Sequence, residues 1–151
     1  MNGADVEWQG RGLVPGTVKA EAIVARTRLS FWGGFDPRTG VIVERDSPLR
    51  GVEVAGRVLI FVSTKGSSGT SGMLSIAARA GLAPAAFVNA EVDAMAVLAC
   101  VVNEIPMVVD VDVGIFEQLV TGDVVEIDGE RGCVRLIERS TDRREATDDA
   151  G

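Results

Sequence analysis

The sequence predicts a mixed α/β fold: one domain in which β-strands pack on a small β/α layer. Three observations predict it. Between residues 58 and 109, short runs that are apolar but for Asn89 (58–62, 85–89, 105–109) alternate with helix-like stretches (71–80, 93–102). Apolar runs of about five residues separated by ten-residue helical segments mark parallel strands joined by crossover helices. The flanks differ, because Thr17–Val24 alternates in part between apolar and polar residues, and 123–137 reads as strand, turn and strand. Both are signs of antiparallel strands. Finally, 151 residues that are 46% hydrophobic suit a single core, and no linker divides them.

Taken in order, residues 1–12 are polar and glycine-bearing and read as a loose lead-in to a domain over 13–137. After the strand at Thr17–Val24, residues 29–40 form a loop with three large aromatics, Phe31, Trp32 and Phe35, beside Gly33 and Gly34. It ends in a turn at Pro37 and Gly40. A short strand at 41–43 and a turn-rich connection at 47–56 follow. The helix at 71–80 is closed by Gly81, a residue suited to a left-handed C-terminal turn. The helix at 93–102 is rich in alanine and small apolar residues, and 115–120 makes a short third helix. A strand at 123–127, a turn at 128–132 and a strand at 133–137 complete the domain. The charged tail at 138–151 reads as disordered.

Composition removes several functional classes. The net charge is -7 and the pI about 4.6. Nothing basic is concentrated enough to track a phosphate backbone, so nucleic acid is not an expected partner. No apolar run approaches the ~20 residues that cross a bilayer, and residues 1–5 lack the features of a signal peptide. The expected compartment is the cytoplasm, with no membrane association. Histidine and tyrosine are absent. Ser–His and Cys–His nucleophile pairs and a histidine-rich zinc site therefore cannot be built from this chain alone. Cys100 and Cys133 are too few for a metal cluster and are expected in the core. Any catalysis must use Ser, Lys, Asp, Glu, Cys or backbone dipoles, or groups borrowed from a partner.

Residues 58–72 carry the chemistry. An apolar run meets Ser63-Thr64-Lys65-Gly66-Ser67-Ser68-Gly69, and a helical pattern begins just beyond. A strand, a tight turn and a helix N-terminus present free backbone N–H groups and the positive end of a helix dipole. Ser67 and Ser68 lie in that field, and Lys65 stands beside them. Read as turn and cap residues, the two serines would only satisfy orphan N–H groups. The loop is no nucleoside-triphosphate loop, since the lysine precedes the serines. Phe31, Trp32 and Phe35 read either as core under the loop or, as favoured here, as a lid over substrate or a contact for a partner. Asn89 and Glu91 follow a buried strand, where crevices often form.

At Lys65-Gly66-Ser67-Ser68 the chain resembles the small subunit, or swivelling domain, of the aconitase X family. The segments 29–37, 39–40, 56–61 and 103–108 carry the same resemblance, which spans roughly residues 10 to 137. It implies a swivelling β/β/α domain similar to the small subunit of isopropylmalate isomerase and the swivel domain of aconitase. It implies a hydro-lyase inactive without a large catalytic subunit of the aconitase X type. That partner would hold an iron–sulfur cluster, and this chain would bind none. Ser67 would be the catalytic base, and Lys65, Gly66, Ser68, Gly69, Phe31, Trp32, Gly33 and Gly34 would bind a small hydroxy-acid substrate. Aconitase-like enzymes carry an arginine after the two serines, whereas Gly69 stands there in this chain, so the substrate must be held differently. The favoured substrate is cis-3-hydroxy-L-proline, and the alternative is phosphomevalonate. The latter would want cations near Ser67, and Arg28, Arg38 and Arg79 are candidates to fold nearby. A reading of another class is a non-catalytic swivelling or anion-binding assembly module.

Overall fold

The computed structural model describes residues 6–141. Its first elements are β1 (Glu7–Gln9), β2 (Arg11–Val14), β3 (Thr17–Val24), β4 (Arg28–Leu29), β5 (Phe35–Asp36) and β6 (Val41–Ile42). There follow β7 (Val58–Phe61), β8 (Ser63–Thr64), α1 (Thr70–Arg79), β9 (Ala86–Asn89), α2 (Ala94–Asn103) and β10 (Met107–Val109). The series ends with α3 (Ile115–Gln118), β11 (Val124–Asp128) and β12 (Cys133–Glu138). The alternating segment folds as its pattern predicts. β7, β9 and β10 lie side by side and parallel, with α1 and α2 as the crossovers between them; β3, read from the sequence as an antiparallel flank, is antiparallel to β11 but parallel to β7. Both crossovers step the same way across the sheet. Their right-handedness therefore puts both helices on one face, where they contact each other.

Period-two alternation sorts the strand side chains into two buried layers. Leu59, Phe61, Phe87, Met107 and Val109 face α1 and α2, meeting Leu74, Ala77, Ala96, Ala99 and Cys100. Val58, Ile60, Ala86, Val88 and Val108 face the other way, toward Ala22, Val125, Ile127, Val134 and Leu136. Strands buried on both faces have no polar side to show, which is why these runs are apolar up to Asn89 at the end of β9.

Residues 7–12, read from sequence as loose lead-in, are strands instead. Glu7, Trp8 and Gln9 pair with Arg135, Val134 and Cys133 of β12. Arg11 and Val14 pair with Val109 and Met107 of β10. Trp8 is buried, and its indole N–H donates to Gln118 Oε1 at 2.7 Å. The strand order is β1-β12-β11-β3-β7-β9-β10-β2. β1 and β2, separated in sequence only by Gly10, thus stand at its two ends, and the sheet closes on itself. At the other terminus Glu138 belongs to β12. The disordered tail read from the sequence falls, from residue 142 onward, outside the described residues.

The β11–β12 turn packs backbone to backbone against the end of β2. A Cβ on Gly129 would lie 1.9 Å from the Val14 carbonyl oxygen. No side-chain rotation relieves a collision with backbone, so Gly129→Ala is expected to destabilise the fold by about 3 kcal/mol. In a thermal melt this lowers Tm by about 10 °C, and a shift within a degree or two would refute the close approach.

Burial pushes the Cys100 thiol far above its ordinary value of 9.0, and the negative charge of Asp93 adds to the effect. The unfolded chain loses this proton near its ordinary value while the folded chain keeps it. The stabilisation is therefore full below about pH 9 and is lost as pH rises, by up to about 1.4 kcal/mol per pH unit. Urea midpoints measured from about pH 8 to about pH 10 should fall in the wild type and fall less steeply in Cys100→Ala.

Candidate functional site

Beyond β7 the chain continues into β8, which pairs in parallel with β4: Arg28 faces Ser63 and Leu29 faces Thr64. Lys65 N–H then donates to the Leu29 carbonyl at 2.9 Å. Two loops consequently leave one place together, residues 30–34 after β4 and residues 65–69 after β8.

Asp93 anchors the second loop. Its Oδ1 accepts from Ala96 N–H at 2.9 Å, capping α2, and from the Thr64 hydroxyl at 2.7 Å. Its Oδ2 accepts from Thr64 N–H at 2.8 Å. Thr64 Oγ1 in turn accepts from Gly66 N–H at 3.1 Å. Gly66 turns the chain at a φ of +82°, where an L-side chain is strained. Ser67, half-buried, folds back on its own turn: its Oγ accepts from Gly69 N–H and its carbonyl from Thr70 N–H, each at 3.1 Å. The residue capping α1 is Gly69, with no side-chain cap bond. The N–H groups of Ser67, Ser68, Ser71 and Gly72 meet no acceptor among the described residues. The α1 N-terminus thus presents open donors and a positive dipole end beside one half-buried and one exposed serine hydroxyl.

The aromatic loop divides in a way the sequence reading did not foresee. Phe31 and Phe35, expected with Trp32 on a lid, are 0% and 3% exposed. Phe31 stacks on Phe87 with centroids 5.8 Å apart and meets Phe35 edge-on at 5.3 Å. The expectation that Phe31 touches substrate is thereby corrected, since its ring is spent on the core beneath the loop. Trp32 points outward, 60% exposed. Its inner edge rests on Gly69, where an added Cβ would lie 2.7 Å from Trp32 Cε3. Glycine at this position follows from that contact, because an arginine side chain would have to leave through the space the indole fills. Gly33 is exposed at the loop tip, and Gly34 is buried with its carbonyl accepting from Val43 and Glu44 N–H at 2.9 and 3.1 Å.

Lys65, which the sequence sets beside the two serines, pairs with Glu44. The other oxygen of Glu44 accepts from Ser30 N–H at 3.0 Å. Among the arginines, Arg28 is paired with Glu91 at 2.7 Å. Arg79 sits in the last turn of α1, at the end of the helix away from Ser67. Arg38 lines a cleft of about 520 Å³ with Phe35, Val43, Met73 and Ile76. Asn89 is buried, donating to the Phe61 carbonyl at 3.3 Å, while its Oδ1 has no partner among the described residues. Sequence reasoning missed Glu44 and Thr64 as organisers of the site. It placed Asp93 only at the start of a helix, although an Asp before an apolar run is a cap signal.

The thiols do not fit an iron–sulfur cluster. Cys100 is buried between α2 and the sheet, whereas Cys133 lies on β12 and donates to Gln9 Oε1 at 3.1 Å. Among the described residues no group of three or more His, Cys, Asp or Glu side chains is arranged to hold a metal ion. Nor is any helix among them long and apolar enough to cross a membrane.

A mixed sheet with two crossover helices on one face, and a Gly-Ser-Ser turn leading into the first of them, defines a swivelling β/β/α domain. The chain belongs to the aconitase X swivel domain family, whose model matches residues 7–136. It is 36% identical to the phosphomevalonate dehydratase small subunit of Pyrococcus furiosus over 129 residues, covering 85% of this chain and 94% of that one. To the small subunit of the same name from Archaeoglobus fulgidus it is 37% identical over 128 residues, 85% of this chain and 96% of that one. The crystal structure of Thermococcus kodakaraensis aconitase X in its holo-form matches with a TM-score of 0.83 at 35% identity, covering 88% of this chain and 99% of that chain.

Proposed function

We propose that this chain is the small subunit of an aconitase X-type hydro-lyase and that, with a large catalytic subunit, it dehydrates phosphomevalonate in the cytoplasm. The observation that carries this reading is the match, over 85% of the chain, to small subunits of phosphomevalonate dehydratases. It favours phosphomevalonate over cis-3-hydroxy-L-proline, the substrate expected first. The iron–sulfur cluster implied by the family is assigned to the large subunit.

Ser67 is the proposed base. A 3-hydroxy carboxylate loses a proton from the carbon beside the carboxylate. The C–H electron pair becomes the new double bond, and the adjacent C–O bond breaks, its electron pair leaving with oxygen as hydroxide toward the large subunit's side of the site. A serine alkoxide able to take that proton is too unstable in open water. Here Gly69 N–H already donates to Ser67 Oγ, and a hydrogen bond to the charged form favours it. The dipole of α1 acts in the same sense. Ser68, Lys65, Gly66, Gly69, Trp32, Gly33 and Gly34 form the proposed walls around the substrate. Trp32 supplies an apolar face and Ser68 a hydroxyl. Lys65 serves as a charge held by Glu44, not as a free partner of the serine.

The test is turnover by the complex assembled from both subunits. The expected result is a kcat/KM for phosphomevalonate at least about a hundredfold above that for cis-3-hydroxy-L-proline. Equal or reversed preference would overturn the substrate, and turnover by this chain alone would overturn the subunit reading.

A further inference from the structure

Glu44 is only 14% exposed, and both of its carboxylate oxygens are engaged by the loops of the candidate site. One accepts from Ser30 N–H and the other from Lys65 Nζ. Its own backbone N–H, with that of Val43, donates to the Gly34 carbonyl. Glu44 therefore holds the aromatic loop at both ends, Ser30 and Gly34. Trp32, between those ends, rests on Gly69. From Gly69 the chain leads back through Ser67 to Lys65, and Lys65 returns to Glu44. These contacts form a closed ring, with Ser67 on its serine-bearing side.

We propose that Glu44 is a positioning residue of this site, fixing the 65–69 loop through Lys65 and through Trp32. The proposal rests on the reading of Ser67 as the base. A carboxylate so little exposed needs strong hydrogen-bond partners to replace the water it has lost. A backbone N–H and a lysine ammonium are such partners, and together they define one relative placement of the two loops. Without them there remain the hydrogen bond from Lys65 N–H to the Leu29 carbonyl and the contact of the indole with Gly69. A catalytic group must be held to about half an ångström by the residues behind it, and the hydrogen bond on Ser67 Oγ among the described residues comes from its own turn.

Glu44→Gln separates the two contacts. Its amide oxygen still accepts from Ser30 N–H, whereas its NH₂ group cannot accept from Lys65. In the two-subunit complex this variant is expected to lower kcat/KM for phosphomevalonate about thirtyfold. Lys65→Met should cost about the same, and the double variant should be no worse than Lys65→Met, since both remove one link. A merely structural role would add its loss to that of Lys65→Met. On the full-length chain alone, Glu44→Ala should speed amide exchange at Ser30 about tenfold while residues 58–61 stay protected. Unchanged exchange at Ser30, or a Glu44→Gln loss that persists in the Lys65→Met background, overturns the proposal. A wild-type complex that turns over neither substrate overturns the reading of function instead, and exchange at Ser30 then still decides whether Glu44 joins the loops.

Discussion

Ser67→Ala, assembled with the large subunit, is expected to lower kcat for dehydration about a thousandfold and to leave the complex intact. A positioned general base contributes about a hundred- to ten-thousandfold, and no histidine exists in this chain to take over the proton. The Ser67 hydroxyl also accepts from Gly69 N–H, so the alanine variant loses one turn hydrogen bond as well. That loss is worth about 1 kcal/mol and a few degrees of Tm, which is too little to unfold the domain. Stability and catalysis are thus separable: the melt moves slightly and the turnover collapses. Ser68→Ala, whose hydroxyl makes no turn bond among the described residues, should cost about tenfold. Full activity in Ser67→Ala would leave that serine as a turn residue and remove the base from this subunit.

Asp93→Ala should be the most destabilising change near the site, by about 4 kcal/mol. Three hydrogen bonds end on this one carboxylate, from Ala96 N–H, Thr64 N–H and the Thr64 hydroxyl. Losing a helix cap costs about 1 kcal/mol. A charged acceptor removed from buried donors costs about 1.5–3 kcal/mol more, and Thr64 is only 4% exposed. The consequence reaches the candidate site because Thr64 Oγ1 is the acceptor for Gly66 N–H. Asp93→Asn, which keeps one side-chain oxygen, should recover about half of the stability. Urea unfolding measures both, and a loss under about 1 kcal/mol for the alanine variant would show that Thr64 is held by other means.

The parallel layer was legible because 58–62, 85–88 and 105–109 are apolar at every position, a pattern that local sequence carries by itself. The closing strands were not. Glu7–Gln9 and Arg11–Val14 are too short to show a period, and their partners lie on β12 and β10, far along the chain. The two glycines after Trp32 suggested an exposed loop, yet Leu29, Ser30, Phe31 and Trp32 alternate inward and outward as a strand does. Read that way, Phe31 belongs to the core and Trp32 to the surface. Glu44 carried no local signal, since its two side-chain partners are Ser30 and Lys65 on other segments. The serine turn could be found because a strand, small residues and a helix follow one another directly. What holds that turn in place was hidden because the holding is tertiary.

The closure of the sheet through Gly10 also sets an order of events for folding. Residues 7–9 leave the ribosome well over a hundred residues before their partners on β12. Until those partners emerge, β1 is an open edge, able to pair with strands of other chains. Contacts of such long range make folding slow, so joining the two ends of the sheet is expected to be the late and aggregation-prone step. The same late step then pairs β1 with β12 and ties the two ends of the sheet together through Gly10.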